Sequence, residues 1–148
     1  MSARRIIVAQ IIFGLALILP VALADIFQVR GNTSASEPRG LWRITHEPLK
    51  RGSYVILKMP LKQIAALPCD TVRVTPEGSY VNGKLRPGSA IPAGVHQHYP
   101  FGTYVLTAGQ LWLLGDHPLS WDSRYVGAIP ESLVNATAEP LLTEEPTQ

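Results

Sequence analysis

The chain contains a single cysteine, Cys69, so no intrachain disulfide can stabilise its fold. Only 16% of the residues are charged and the net charge is +2, which is too small to indicate a nucleic-acid-binding surface. The sequence also has no phosphate-binding glycine loop, no zinc-binding motif and no Ser-His-Asp order. These scarcities exclude the disulfide-rich and zinc-finger classes and argue against a nucleic-acid partner, so side-chain packing must hold the fold together.

Prolines and glycines, by contrast, are frequent, at 13 and 12 residues. They argue against a helical bundle and favour short strands joined by turns. No segment after residue 25 shows sustained helical periodicity. About 120 residues remain beyond that point, which is enough for one core of ordinary size. We therefore expect a mainly β domain with antiparallel pairing.

An uncharged run from Ile6 to Ala24 follows Arg4 and Arg5 and ends at Asp25. As a helix it would be about 28 Å long, just sufficient to cross the hydrocarbon core of a bilayer. Positive charge before the run predicts a cytoplasmic N-terminus and an exported domain. The expected location is the bacterial cytoplasmic (inner) membrane, as a single-pass protein with a periplasmic domain.

A cleavable signal peptide is the alternative for this segment. Ala22-Leu23-Ala24 is a small-x-small site, Pro20 lies just before it, and the two arginines suit an n-region. Both interpretations export the remainder of the chain. The predicted organisation is an anchor or signal peptide at 1–25, an exported domain at 26–142 and a flexible tail at 143–148.

Alternating apolar residues and turn residues predict the strands of the domain. Asn82-Gly83 between short apolar stretches predicts a hairpin across 79–85. The proline- and glycine-rich segment 86–100 predicts a long surface loop. The other predicted strands are 41–44, 53–58, 71–75, 103–106, 110–114 and one last strand within 128–137.

The stretch from Asn32 to Trp42 contains two serines, Ser34 and Ser36, separated by one residue. In an extended chain, residues two apart point to the same side. The two hydroxyls could then serve as a nucleophile and a second donor aimed at one carbonyl group. The alternative is a polar linker between an anchor and a domain.

Lys62 lies among apolar residues in LKQIAAL. Burial disfavours the charged form of an amine, so its pKa would fall and it could accept a proton from a serine. Alternatively, the side chain extends from a strand edge and keeps its ammonium group in water.

A third group lies at 120–124, where Ser120, Asp122 and Arg124 offer a hydroxyl, a carboxylate and a guanidinium. Asp122 and Arg124 could pair and make the loop rigid, and Ser120 could bond to a nearby amine; the alternative is a turn whose polar groups satisfy one another. His96 and His98 could share one side of an extended segment, but they have no acidic or cysteine neighbour that would favour a metal site.

Together, three motifs in this order resemble the bacterial signal peptidase I family, and within it the TraF-type conjugative-transfer serine peptidases. They are S-x-S-x-P-x-G-L-aromatic, K-Q-I-A-A-L-P-C-D and W-L-L-G-D-H-P-x-S-x-D-S-R-Y-x-G. The resemblance runs from about Asn32 to Gly127. It implies a mainly β, antiparallel fold of the signal peptidase type after one N-terminal transmembrane helix.

The resemblance implies a role for each matching residue. Ser36 takes the position of the nucleophile and Lys62 that of the general base. Ser34 takes the position of a hydroxyl that helps to bind the oxyanion, and Ser120 that of the hydroxyl that orients the lysine. Asp116, Asp122 and Arg124 fall on the supporting positions of the last motif.

The sequence departs from the family pattern at three positions. Cys69 replaces a usual glycine, which would affect that turn. Gln63 replaces a common basic residue, so Asp116 would lack its partner. His117 replaces a common asparagine.

The resemblance implies a membrane-bound serine endopeptidase that needs no metal or cofactor. Its expected partners are an exported precursor or pilin, the lipid bilayer and a conjugation or type IV secretion apparatus, with no nucleic acid. The reaction would mature, or even cyclise, a conjugative pilin. One alternative is a general signal peptidase I, and another is an inactive relative that serves as a binding module of a secretion complex.

Overall fold

The N-terminal apolar run forms one helix in the computed structural model, which describes residues 3–57 and 60–144. Helix α1 spans Ala3–Ile26, and an 18-residue window within Arg4–Ile26 has a mean hydropathy of 2.7 and no buried residue. Such a helix is long and apolar enough to cross a membrane, a test that a signal sequence also passes. It ends one residue beyond the predicted boundary at 25.

The regular structure in the rest of the described chain is almost entirely β, as predicted. Its one further α-helix, α2, is the single turn Ser123–Val126, and a 3₁₀ turn covers Glu131–Leu133. The strands are β1 Val29–Asn32, β2 Gly40–Thr45, β3 Tyr54–Leu57, β4 Lys62–Ala66, β5 Thr71–Thr75, β6 Gly78–Val81, β7 Lys84–Leu85, β8 Gly102–Val105, β9 Gln110–Leu114, β10 Ile129–Pro130 and β11 Val134–Thr143.

All strand pairs in the two sheets are antiparallel. The larger sheet has the order β1-β2-β11-β3-β4-β9-β10, and the smaller one has the order β7-β6-β5-β8. Strand β4 lies between β3 and β9, with Lys62 opposite Val55. This central position, rather than a sheet edge, is why the first residue of β4 is enclosed.

The main core lies between the two sheets. Trp112 of β9 is fully buried and packs with residues of β4 from its own sheet and of β5 and β6 from the other. A second cluster covers the opposite face of the larger sheet, where Ile64 packs against Val55, Leu111 and Leu113. Both faces of β4 are therefore buried, so its sequence lacks the alternation of a half-exposed strand.

The last strand differs from its prediction. It spans Val134–Thr143 rather than lying within 128–137, and it pairs with β2 on one side and β3 on the other. Pairing with two neighbours stabilises a segment whose own pattern is weak and contains Pro140. Strand β11 therefore includes Thr143, the first residue of the predicted tail 143–148. Residues 145–148 of that tail lie outside the described part of the chain. So do Met59 and Lys58, the last residue of the predicted strand 53–58.

Candidate active site

The loop that carries Ser36 is the tip of the β1–β2 hairpin, which closes at the Asn32–Gly40 pair. The Asn32 amide Nδ2 donates to the carbonyl oxygens of Ser34, Glu37 and Pro38 at 3.3, 3.0 and 3.2 Å. Ser36 is half-buried at this tip. One asparagine side chain therefore shapes the loop from inside.

Ser34 is held by the same asparagine. Its backbone N–H and its hydroxyl both donate to Asn32 Oδ1, at 3.1 and 2.9 Å. The sequence predicted that Ser34 and Ser36 point to the same side because it treated their segment as extended. The segment is not extended, since residues 34–37 form a turn and bend. In this state the Ser34 hydroxyl is bonded within its own loop.

Lys62 is almost completely buried, with 2% of its surface exposed. Its Nζ donates to Ser120 Oγ at 2.6 Å, so the alternative of a lysine that reaches water is wrong. Burial lowers the pKa of Lys62, the charges of Asp122 and Glu37 act in the opposite direction, and Arg124 lowers it further. The site thus holds an amine biased toward its neutral form.

Asp122 and Arg124 form an ion pair with both side chains fully buried. Arg124 Nε donates to Asp122 Oδ1 at 2.9 Å and Nη2 donates to Oδ2 at 2.6 Å, which is the bidentate geometry of the strongest such pairs. The carboxylate also accepts the Gly115 N–H at 2.8 Å and caps helix α2. Both oxygens of the Asp122 carboxylate therefore have hydrogen-bond donors.

The remaining guanidinium donors of Arg124 bind main-chain carbonyls. Nη2 donates to Gly115 and His117 at 3.0 and 2.8 Å, and Nη1 donates to Gly88 at 3.0 Å. Because His117 contributes its carbonyl oxygen to this network, its replacement of an asparagine leaves that contact intact. The two interpretations of 120–124 are therefore both correct in part. Asp122 and Arg124 satisfy each other within the turn, and Ser120 bonds to Lys62.

Gly115 and Asp116 of the third motif lie next to Ser36 of the first motif. The Asp116 N–H donates to the Ser36 carbonyl oxygen at 2.7 Å. A Cβ atom at Gly115 would overlap the Ser120 hydroxyl and lie 2.9 Å from the Ser36 carbonyl oxygen. The Ser36 carbonyl oxygen and the Ser120 hydroxyl, which accepts from Lys62, therefore both lie against Gly115, where only glycine leaves enough space.

The partner of Asp116 was predicted to be missing because Gln63 replaces a basic residue. No ion pair to Asp116 occurs in the described ranges. However, Arg86 Nη2 donates to Gln63 Oε1 at 2.7 Å, and the charges of Arg124 and Arg86 partly oppose the rise in the pKa of Asp116 that burial causes. Arg86, which the sequence did not indicate, brings a positive charge to this region from the 86–100 loop.

Cys69 keeps the backbone conformation that its turn requires. Its φ of 71° lies in the left-handed region, and its N–H donates to the Leu106 carbonyl oxygen at 2.8 Å. Asp70 completes the turn by accepting from the Leu67 N–H and from Arg51. The replacement of glycine thus leaves the turn formed, with a strained residue in it.

The histidines of the 86–100 loop have local contacts. His98 stacks on Phe101 and its Nδ1 bonds to the Tyr99 carbonyl. Within residues 3–57 and 60–144, no group of three or more His, Cys, Asp or Glu side chains is placed to hold a metal ion.

A cavity of about 210 Å³ lies beside Lys62. Its walls are mostly apolar, with Leu57, Leu113 and the exposed Trp121 among them, and Lys62 and Asp122 supply its polar side. An apolar side chain entering this cavity would be next to the Lys62 amine.

Comparison with known proteins agrees with the resemblance of the motifs. The profile of the family described as signal peptidase, peptidase S26, matches residues 2–142. A plasmid transfer protein TraF of Escherichia coli is 27% identical, covering 95% of this chain and 97% of its own. A conjugal transfer protein TraF of Agrobacterium fabrum is also 27% identical, covering 99% and 100%.

A crystal structure of a signal peptidase I from Enterococcus faecalis superposes with a TM-score of 0.44 at 18% identity, covering 62% of this chain and 97% of that one. The family and the apolar helix together indicate a single-pass membrane protein. Because the family profile covers nearly the whole chain, this protein belongs to the signal peptidase family, peptidase S26.

Proposed function

We propose that this protein is a membrane-bound serine endopeptidase in which Ser36 is the nucleophile and Lys62 the general base. Family membership supports a serine peptidase that acts on precursor proteins in a membrane context. The observation that carries the proposal is the buried Lys62 amine, which donates to Ser120 Oγ at 2.6 Å, while Ser120 and the Ser36 carbonyl oxygen both lie against Gly115.

The proposed acylation uses only side chains of this chain. Ser36 Oγ attacks the scissile carbonyl carbon while its proton passes to Lys62 Nζ. The tetrahedral intermediate then collapses, the C–N bond breaks, and the leaving amine takes the proton back from Lys62. Substrate and enzyme are now joined by an ester at Ser36, and the base is neutral again.

Deacylation repeats these steps with another nucleophile. Water gives a proton to Lys62 and attacks the ester carbon, and the proton returns to Ser36 as the C–O bond breaks. The oxyanion would be bound by the Ser36 N–H and by the Ser34 hydroxyl, after that hydroxyl turns away from Asn32. Such donors contribute about 3 to 4 kcal/mol to lowering a barrier.

The structure offers a reason for each supporting residue. Ser120 orients the Lys62 amine by accepting its hydrogen bond, and the Asp122–Arg124 pair holds the loop that carries Ser120. Asp116 fixes the Ser36 main chain through its own N–H. The apolar cavity beside Lys62 would accept a small apolar substrate side chain.

The proposed substrate is the precursor of a conjugative pilin, cleaved on the outer face of the cytoplasmic membrane. The two TraF proteins of similar sequence, described as plasmid and conjugal transfer proteins, favour this substrate over a general set of signal peptides. A peptide amine in place of water would resolve the ester into a cyclic product. The conjugation apparatus is the proposed partner.

The test is co-expression in cells with a candidate pilin precursor encoded nearby, followed by mass measurement of the product. Wild type should shorten the precursor, whereas Ser36→Ala and Lys62→Ala should leave it intact. Ser132→Ala and Lys84→Ala, at exposed positions, are matched controls that should cleave normally. A product lighter by one water than the linear fragment would show cyclisation.

If wild type leaves the precursor intact, either the chosen precursor is not the substrate or the protein is not a peptidase. A serine-directed acylating probe separates the two. Labelling of Ser36 that disappears in Lys62→Ala would keep the peptidase and reject the pilin, and no labelling of wild type would reject the peptidase in favour of a binding module.

A further inference from the structure

The turn at 86–89, directly after the β6–β7 hairpin, contacts two segments of the candidate site, although the proposed mechanism does not use it. Pro87 and Gly88 occupy its centre, an order typical of a type II turn, and Gly88 has the positive φ, 70°, that such a turn requires. The N–H and the hydroxyl of Ser89 both donate to the Arg86 carbonyl oxygen, at 3.3 and 2.5 Å. The turn is therefore closed by its own hydrogen bonds.

The smaller sheet fixes this turn in place. The Arg86 N–H donates to the Ser79 carbonyl oxygen of β6 at 2.9 Å, and the Ser79 N–H donates to the Ser89 hydroxyl at 2.9 Å. Both serines are buried, and the Ser79 hydroxyl accepts from Trp112 Nε1 of the main core at 3.3 Å. The turn is thus bonded to a rigid part of the domain and can support other groups.

On one side, the turn reaches strand β4 through the side chain of Arg86. Arg86 Nη2 donates to Gln63 Oε1 at 2.7 Å, and Arg86 Nε is buried. Gln63 directly follows Lys62 and lies opposite Leu114, the last residue of β9. Arg86 therefore binds β4 at the residue next to the proposed base.

On its other side, the turn meets the loop after β9. The Gly88 carbonyl oxygen accepts from Arg124 Nη1 at 3.0 Å. Gly88 also lies against Asp116, since a Cβ atom on this glycine would be 3.8 Å from the Asp116 carbonyl oxygen. Asp116 in turn donates its N–H to the Ser36 carbonyl oxygen at 2.7 Å. One short turn thus connects the strand of Lys62 with the loop that binds the main chain of Ser36.

We propose that Arg86 is a positioning residue: by bonding Gln63 to the 86–89 turn, it fixes β4 relative to the loop that binds Ser36, and so sets the placement of Lys62 against Ser36. This role rests on the function proposed above. A misplacement of about 1 Å between reacting groups can cost about 10²-fold in rate, so a hydrogen bond outside the reacting groups can matter for the reaction.

Arg86→Met tests the role, because it removes the donors and keeps an unbranched side chain. The rate at which a serine-directed acylating probe labels Ser36 should fall by about 10- to 100-fold. The pH of half-maximal labelling should not change, since Lys62 stays buried on β4. Arg86→Lys, which can still donate to Gln63 Oε1, should recover most of the rate.

The matched control is Arg73→Met. Arg73 is an exposed arginine of β5 whose guanidinium stacks on the Tyr80 ring at 4.1 Å, away from the residues of the candidate site. This variant should label Ser36 at the wild-type rate. A residue with only a structural role would lower the unfolding temperature without slowing the labelling measured well below that temperature.

The bond between Arg86 and Gln63 has a test of its own. Gln63→Met removes the acceptor and should slow labelling as much as Arg86→Met does. The double variant should be no slower than either single variant, because each change removes the same interaction. Effects that multiply in the double variant would show that Arg86 does not act through Gln63. If Arg86→Met does not fold, Gln63→Met carries the same prediction.

Hydrogen exchange, measured by NMR on the full chain in detergent micelles, makes the test independent of activity. The Asp116 amide, which donates to the Ser36 carbonyl, should exchange at least about tenfold faster in Arg86→Met than in wild type or Arg73→Met. Equal protection of this amide, or labelling of Arg86→Met at the wild-type rate, would overturn the proposal. If wild type itself is never labelled, the proposed function fails, and the exchange rates alone decide whether Arg86 fixes the loop at Ser36.

Discussion

At the scale of single residues, Lys62 shows how burial determines reactivity. An exposed lysine is protonated at neutral pH, but Lys62 is buried on strand β4, with Ser120 as its hydrogen-bond acceptor. The sequence indicated this possibility through the apolar residues around it. The structure decides between the alternatives because β4 is a central strand, and apolar clusters on both of its faces exclude water.

Activity should therefore rise with pH through the lowered pKa of Lys62. In the proposed mechanism the free amine is the active form, and it appears at a lower pH than for an exposed lysine because the folded-state pKa lies below the ordinary value. Lys62→Arg, which stays protonated, should reduce probe labelling of Ser36 by about 10² to 10⁴ at every pH. A flat wild-type profile from pH 6 to 10, or an active arginine variant, would contradict the role as a base.

The Asp122–Arg124 pair allows a second prediction at this scale. Asp122→Asn leaves a fully buried guanidinium without its counter-charge and should lower the free energy of unfolding by about 3 to 5 kcal/mol. Asp25→Asn breaks an exposed ion pair of similar length, Asp25–Arg30 at 2.7 Å, and should cost at most about 1 kcal/mol. Denaturant titration of both variants checks this, and equal losses would show that burial of the inner pair has no energetic effect.

At the scale of elements, the sequence predicted those strands whose pattern reflects one exposed face. Strand β5 alternates strictly, and the β6–β7 hairpin turns at Asn82 and Gly83, both with positive φ. The sequence was sufficient to predict these elements because residues close together in the chain determine the alternation and the turn. Strand β4 was not predicted because it opens with the polar pair Lys62 and Gln63, and the end of β11 was missed because Pro140 interrupts a weak pattern that pairing on two sides stabilises.

For the candidate site, too, the sequence predicted only those residues that a local motif marks. The spacing of the motifs indicated Ser36, Lys62 and Ser120. The structure bonds Lys62 to Ser120 and places the Ser120 hydroxyl and the Ser36 carbonyl oxygen next to Gly115, while the catalytic roles stay a prediction. Glu37 and Arg86 carry no local signal, since an acid after a serine and an arginine after a hairpin are usually solvated. The burial of Glu37 and the bond from Arg86 to Gln63 depend on segments far apart in the chain.

The turn after β4 provides a prediction at this scale. Cys69 adopts a left-handed conformation that costs a side chain about 1 to 2 kcal/mol, while glycine adopts it freely but loses more entropy on folding. Cys69→Gly should be more stable than Cys69→Ala by about 0.5 to 1 kcal/mol, because both lack the thiol and differ only in the Cβ atom. Thermal unfolding of the two variants measures this difference, and a more stable alanine variant would contradict it.

At the scale of the whole molecule, the order of the elements connects the apolar helix to the site. Helix α1 ends at Ile26, β1 follows at Val29, and the turn with Ser36 begins just beyond β1. The proposed nucleophile is therefore about ten residues from the end of the helix. If the helix is retained in the membrane, the site is tethered near the position where the apolar segment of a precursor emerges.

This arrangement predicts that the tether, rather than the chemistry, limits cleavage in cells. A variant exported with a cleavable signal peptide in place of residues 1–25 should still label at Ser36 with an acylating probe. Its cleavage of a membrane-inserted precursor should fall by at least about tenfold, because tethering two partners to one surface raises their effective concentration. N-terminal sequencing of wild type from the membrane fraction is the control, since a start at Asp25 would mean that the natural protein loses its helix. Equal precursor cleavage by the anchored and released forms would show instead that the domain finds its substrate by diffusion.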